Sequence, residues 1–165
     1  MNAMKIFSVL TIFISILFVN LQSAHAEMPD ITAGETKFDF KTGRYVLKDH
    51  VKVVFTDRTI TAEMATVDLY NEKMNASGDV TMTSDDFLFR CDEMSGEWAK
   101  HGVEVSGNVK FVTSDGLSIL AETGTFSWKT KLADFYNARI LENGTEKKFK
   151  HVQFHVIEKK ILVTE

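Results

Sequence analysis

Cysteine and proline are almost absent from this 165-residue chain, which holds one of each. A single Cys, Cys91, permits no internal disulfide, and it falls at an apolar position of its segment, where a thiol packs as a small hydrophobe. The single Pro, Pro29, precedes the patterned part of the chain, so no missing N–H interrupts a backbone ladder beyond it. Long apolar runs are missing too. The run at residues 6–19 has 14 residues, short of the roughly 20 that a spanning helix needs. There is no Gly-rich loop ending in Lys-Ser or Lys-Thr, which excludes the common nucleotide-phosphate cradle. Nor is there a basic excess. With 19 Lys and Arg against 23 Asp and Glu the net charge is −4, which argues against nucleic acid as a partner.

The short apolar run has its own reading. Lys5 gives it a positive start, and Ser23-Ala24-His25-Ala26 supplies small residues at the −3 and −1 positions of a cleavage site. Residues 1–26 are therefore expected to be a signal peptide cleaved after Ala26, and residues 27–165 to form one exported domain. Removing 26 of 165 residues leaves 139, a length suited to a single core.

What the chain does have is a repeat of about 29 residues. Val51, Val80 and Val109 each follow a short polar corner: Asp49-His50, Gly78-Asp79 and Gly107-Asn108. A second marker trails each one, in Thr61-Ala62-Glu63, Cys91-Asp92-Glu93 and Leu120-Ala121-Glu122. With Thr32-Ala33-Gly34-Glu35 before and Lys150-His151 after, the acid or His positions run 35, 63, 93, 122, 151. Fixed-period self-similarity means one supersecondary unit, stacked. From residue 38 onward the pattern alternates with period 2, and turn-like clusters such as Ser84-Asp85-Asp86 and Ser114-Asp115-Gly116 divide it. Each unit is thus two strands and two tight turns.

The inward phase changes partway along alternate strands: Ile60 and Ala62 are even, Val67 and Leu69 odd; Leu117 and Ile119 are odd, Phe126 and Trp128 even. A period-2 strand switches parity only at a bulge or bend. The intervening strands carry Gly78 or Gly107 at the matching level, where Gly permits a sharp fold. Corners that line up across neighbouring strands crease the whole sheet. The expected fold is all-β: a creased antiparallel meander forming a half-open β-jelly roll with an apolar interior slot. Asp49-His50 lacks the Gly, so a looser crease is expected there. A parallel β-helix is the alternative, but it stacks Glu63, Glu93 and Glu122 about 4.8 Å apart, and adjacent like charges destabilise a ladder.

The runs Ala76-Ser77-Gly78-Asp79-Val80-Thr81-Met82-Thr83 and Val105-Ser106-Gly107-Asn108-Val109-Lys110-Phe111-Val112, with their trailing Cys91-Asp92-Glu93-Met94 and Leu120-Ala121-Glu122, resemble the repeat of the OstA-like family. That family comprises the periplasmic lipopolysaccharide-transport proteins LptA and LptC and the N-terminal domain of LptD. The similarity covers residues 31–165, and the cleavable-looking signal makes the chain most like the soluble LptA type. The resemblance implies a periplasmic module that holds lipopolysaccharide, or a similar glycolipid, by its acyl chains. It also implies end-to-end docking to homologous jelly-roll modules of an ABC-transporter-linked export machine, including a head-to-tail homo-oligomer, which bridges inner- and outer-membrane components.

Inward phase assigns the slot to Val53, Phe55, Ile60, Leu69, Met82 and Phe87, and to Phe89, Phe111, Leu117, Ile119, Phe126 and Trp128. The open edges are expected at Phe38 and Phe40 and at Ile161 and Val163, where the final strand is apolar and lacks Pro. Lys52, Arg58, Lys110, Arg139, Lys147 and Lys148 are the cations available to a phosphorylated head group. No catalytic constellation is expected. His151 and His155 share a strand face but stand about 13 Å apart, too far to share a metal, and the repeated Glu residues sit at corners. No enzyme activity, metal or cofactor is assigned. The alternative function is an exported structural or adhesive β-repeat protein with a dry core.

Overall fold

A computed structural model describes residues 30–142 and 145–165; the expected signal peptide lies outside the described residues. Eleven strands follow one another: β1 (Asp30–Thr32), β2 (Glu35–Asp39), β3 (Arg44–Val54), β4 (Arg58–Asp68), β5 (Lys73–Ser84), β6 (Phe87–Glu97), β7 (Gly102–Thr113), β8 (Ser118–Ser127), β9 (Leu132–Glu142), β10 (Thr145–His155) and β11 (Lys160–Thr164). They form one antiparallel sheet in chain order, from β1 and β3 through to β11. The β-helix alternative is thereby excluded. β1 and β2 pair with the two halves of β3, residues 52–54 and 44–48, and make one interrupted edge strand.

The crease is a line of corners at one level. Register slips between Lys48 and Val51, Ser77 and Val80, and Ser106 and Val109. At each slip two residues turn left-handed: Asp49 and His50 (φ 64° and 55°), Gly78 and Asp79 (81° and 45°), Gly107 and Asn108 (74° and 47°). Asn137 on β9 (50°) continues the series, so His50, Asp79, Asn108 and Asn137 stand 29 apart. The looser crease expected at Asp49-His50 is not found. Asp and His adopt there the backbone that Gly-Asp and Gly-Asn adopt in the later copies, at the steric cost a Cβ brings to left-handed φ.

Carboxylates line the corners. A Cβ on Gly78 would lie 2.7 Å from a Glu63 carboxylate oxygen, and one on Gly107 would collide with Asp92. The amide of Asn108 donates to Asp92 (2.8 Å) and that of Asn137 to Glu122 (2.7 Å). The periodic acids are therefore bend caps, with Asp92 rather than Glu93 filling the role on β6. Parity changes as the sequence requires: Ala62 and Ala65 are both buried, as are Ile119 and Phe126, and Val51, Val80, Val109 and Ala138 follow their corners into the interior.

The depth of the fold shows in one pair of rings. Phe111 is in register with Ile119, which is in register with Ile140, and Phe135 lies five residues along β9. A flat sheet would separate Phe111 and Phe135 by about 17 Å along the strands and 10 Å across them. Their centroids are 5.4 Å apart. The sheet is folded into two facing walls. The first wall holds residues 44–48, 64–68, 73–77, 93–97, 102–106, 123–127, 132–136 and 151–155. The second holds the other half of each strand.

Candidate functional site

The interior between the walls is apolar. Seven of the twelve residues expected there are buried: Val53, Ile60, Met82, Phe89, Phe111, Ile119 and Phe126. Phe55, Phe87, Leu117 and Trp128 are partly buried against them. Leu69 is not brought to this group. β4 ends at Asp68, and Leu69 sits half-buried in the following turn, its N–H donating to the Gly43 carbonyl.

Rings from the two walls meet across the interior. Phe111 of the second wall lies 5.4 Å from both Phe135 and Phe154 of the first, and Phe89 stacks on Phe135 at 6.1 Å. Nearer the opening, Phe87 faces Phe126 at 6.1 Å. Phe135 and Phe154 were not among the expected lining residues, nor were Ala133, Ile140, Val152 and Val156, all of them buried. Val152, Phe154 and Val156 keep one parity through β10 into the next turn, whereas Ala133 and Phe135 have one parity and Ile140 the other, across the corner at Asn137. Cys91 is buried among them, and burial, reinforced by the charge of Asp92, pushes its thiol up to about 12.

Opposite the crease the wall rims face each other, and side chains bridge them. Arg58, on the second-wall rim, lays its guanidinium 4.3 Å from the ring of Phe55 and 4.3 Å from that of Trp128, which belongs to the first-wall rim. Its Nη1 donates to the Asp57 carboxylate at 2.7 Å, while its Nε is buried without an acceptor. Farther along, Lys159 of the first-wall rim reaches Asp86 and Ser114 of the second, both at 3.1 Å. Each rim is also laced to itself by backbone bonds: Trp128 N–H to His101 and Val156 N–H to Lys131 on one, Ser114 N–H to Asp86 on the other. Among the described residues no backbone hydrogen bond crosses between the rims.

The outer face of the second wall carries an unforeseen alignment. Lys52, Thr61, Thr81, Arg90, Lys110, Leu120, Arg139 and Lys148 follow one another in register across β3 to β10. Four of the candidate cations thus share a row with Arg90, which the sequence did not single out. Arg58 is at the rim instead. Lys147 is one residue from the row, in register with Ile140.

The sheet ends differ. β2 presents Phe38, packed 4.4 Å from Tyr45, and is followed by Phe40, 84% exposed. At the other end β11 pairs with residues 152–155 of β10 and Glu165 extends the contact to Lys150 and His151 by backbone hydrogen bonds, with Ile161 and Val163 half-buried and Leu162 exposed. Neither edge has a further strand among the described residues. Around the first edge stand Asp30, Glu35 and Asp39 against Lys37 and Lys41; around the second stand Lys147, Lys148, Lys150, Lys159 and Lys160 against Glu146, Glu158 and Glu165.

No family model matches the sequence, and no curated protein matches it. Among solved structures the chain is similar to the crystal structure of LptH, the LptA-homologous periplasmic component of the lipopolysaccharide transport device of Pseudomonas aeruginosa. The two share 16% identity over 60% of this chain and 75% of that one, with a TM-score of 0.54. At that identity the likeness shows the fold, a jelly roll built from one open antiparallel sheet.

Proposed function

We propose that this chain is a periplasmic lipid-binding transport module that shields the acyl chains of lipopolysaccharide or a similar glycolipid and bridges inner- and outer-membrane components. The observation that carries the reading is a sheet that folds over an apolar interior yet never closes, on the fold of a periplasmic lipopolysaccharide-transport component. The physical need is large. Exposing a chain of about 12 carbons to water costs on the order of 10 kcal/mol, at about 0.8 kcal/mol per CH₂. An apolar enclosure removes that cost without chemistry, so the reading asks for no catalytic group. The row from Lys52 to Lys148 is available to head-group phosphates.

Both open edges support docking at each end. Counting β1 and β2 as one strand, the sheet has an even number of alternating strands, so a following module's first edge meets β11 in the antiparallel sense. The acidic first edge and basic last edge favour head-to-tail contact, which generates open chains of modules rather than closed dimers. Deleting residues 161–165 is expected to abolish concentration-dependent association in sedimentation. Association of the truncated protein at full strength would remove the edge from the reading.

The ring contacts across the interior favour the second reading, a structural or adhesive module with a dry core. A photo-crosslinker separates the two. Placed at Phe89 or Phe111 it is expected to label added lipopolysaccharide far more than one placed at Thr125, exposed on the first wall. Equal labelling from the three positions would sink the transport reading and leave the dry core. Native mass spectrometry of the purified protein is expected to find co-purified lipid.

A further inference from the structure

A filled interior and a lipid-carrying role conflict unless the walls part, and the rims show where. We infer that the seam between the rims is the route by which acyl chains reach the interior, and that Arg58, between Phe55 and Trp128, is the residue that holds it shut. The inference rests on the transport reading.

Three observations converge on the seam. At the crease opposite it every strand from β3 to β10 runs unbroken from one wall into the other, its corners fixed by left-handed residues and their carboxylate caps, so chains do not pass there. Among the described residues the rims, by contrast, are joined by side chains: the Arg58 sandwich at one point and Lys159 with Asp86 and Ser114 at another. Among the described residues parting them breaks no ladder hydrogen bond, because each rim is laced only to itself. The Arg58 latch is also shallow. Its buried Nε–H lacks an acceptor, and an unsatisfied buried donor raises the free energy of the closed form. Once the guanidinium leaves Trp128, that N–H regains water.

What lies behind the latch fits an apolar chain. Phe126 packs 4.4 Å from Trp128, Phe87 is next across the gap, and Phe111 follows 5.6 Å from Phe87. Rings in a file from rim to centre give an entering chain continuous apolar contact, and a chain lying along them replaces the wall-to-wall contacts it separates. Arg58 is in this account a positioning residue. It sets the population of the open form and need not touch the lipid.

The chain carries its own reporter. Cys91 is the only thiol in the sequence and is buried on the interior side of the second wall, so its reaction with Ellman's reagent measures opening. Replacing Arg58 by Ala is expected to speed Cys91 labelling about tenfold, the factor by which loss of a desolvated cation–π contact shifts an equilibrium. The milder Lys159→Ala should speed it less. In both, labelling at low urea should depend on urea more weakly than global unfolding does. Unchanged labelling, or labelling that merely tracks global unfolding, overturns the inference. The second arm uses a Cys91→Ser background with Ser114→Cys and Lys159→Cys joined by a short bismaleimide. The bridged protein is expected to take up a photoreactive lauroyl amphiphile at least severalfold more slowly than its unbridged control. Uptake that bridging does not slow overturns the inference alone. Wild-type protein that takes up no probe overturns the transport reading and this inference with it.

Discussion

Replacing Glu72 by Gly should stabilise this protein, although it deletes a side chain and puts the most flexible residue in its place. The turns of the first-wall rim each contain one left-handed residue: Gly43 (φ 64°), Glu72 (53°), His101 (50°), Lys131 (60°) and Lys159 (50°). Only the first is Gly. A residue with a Cβ held left-handed costs about 1–2 kcal/mol, and Gly gives back about 0.5–1 kcal/mol through the greater freedom of its unfolded chain. The difference is a gain of about 0.5–1 kcal/mol. Glu72 is exposed and makes no side-chain hydrogen bond or ion pair among the described residues, so nothing offsets that gain. For a domain of this size the change corresponds to a rise of about 2–5 °C in Tm. Urea denaturation of a series at position 72 should rank Gly above Asn, Asn above Glu and Ala, and Val last, because Asn tolerates this region and a β-branched residue does not. His101→Gly should behave alike, and the two should add. A series in which Ala equals Gly would refute the argument, since Ala keeps the strained Cβ.

Phe111 touches rings of both walls, so Phe111→Ala should lower the unfolding free energy by about 3–5 kcal/mol in urea, whereas Phe40→Ala, on a side chain 84% exposed, should stay within about 0.5 kcal/mol. The Asn71 amide and the Arg44 guanidinium hold the Asp68 carboxyl far below the usual carboxylate range. Its stabilising effect is therefore complete above the unfolded pKa of about 4 and lost as pH falls toward the depressed folded value; urea midpoints at pH 6 and pH 3 should converge in Asp68→Asn relative to wild type. Arg90 and Lys110 stand directly opposite on β6 and β7, so Lys110→Glu should add about 0.2–1 kcal/mol, less at high salt, and a gain indifferent to salt would point away from charge.

The sequence displayed the crease before the structure did, because the bend leaves two marks that one chain can carry. Gly78 and Gly107 permit the left-handed step, and the parity break between Ala62 and Val67, or between Ala121 and Phe126, records the residue lost to the partner strand's corner. Where one mark is replaced, the reading weakens. Asp49-His50 is legible as a corner from its place in the repeat but suggests a looser one than the structure has, and Asn137 makes the corner alone on β9, so no Gly marks that copy or points to its core residues Phe135 and Ala138. Parity alone carries Leu69 inward, but the strand ends before it through a side chain: Asp68 accepts from the Asn71 N–H and stops β4. The rim contacts were beyond sequence reading altogether. Arg58 and Trp128 are 70 residues apart, at the ends of β4 and β8 with three strands between, and only the fold of the sheet brings them within 4.3 Å.

That fold also explains why the opening is closed by side chains. A sheet of this many strands has two ways to hide an apolar face. It can close on itself through a final ladder, as a barrel does, or it can crease and press its halves together. Opening a barrel means breaking a row of backbone hydrogen bonds at once, each worth about 0.5–1.5 kcal/mol net and costlier if left unsatisfied. A creased sheet keeps every ladder intact while its walls separate, and what must be broken is apolar contact that an apolar guest can restore. The price, among the described residues, is two unpaired edges, β1 with β2 and β11, of the kind that soluble domains blunt. The left-handed residue in each corner, the missing ladder at the rims and the bare terminal strands are then consequences of one choice, to enclose apolar surface without closing the sheet.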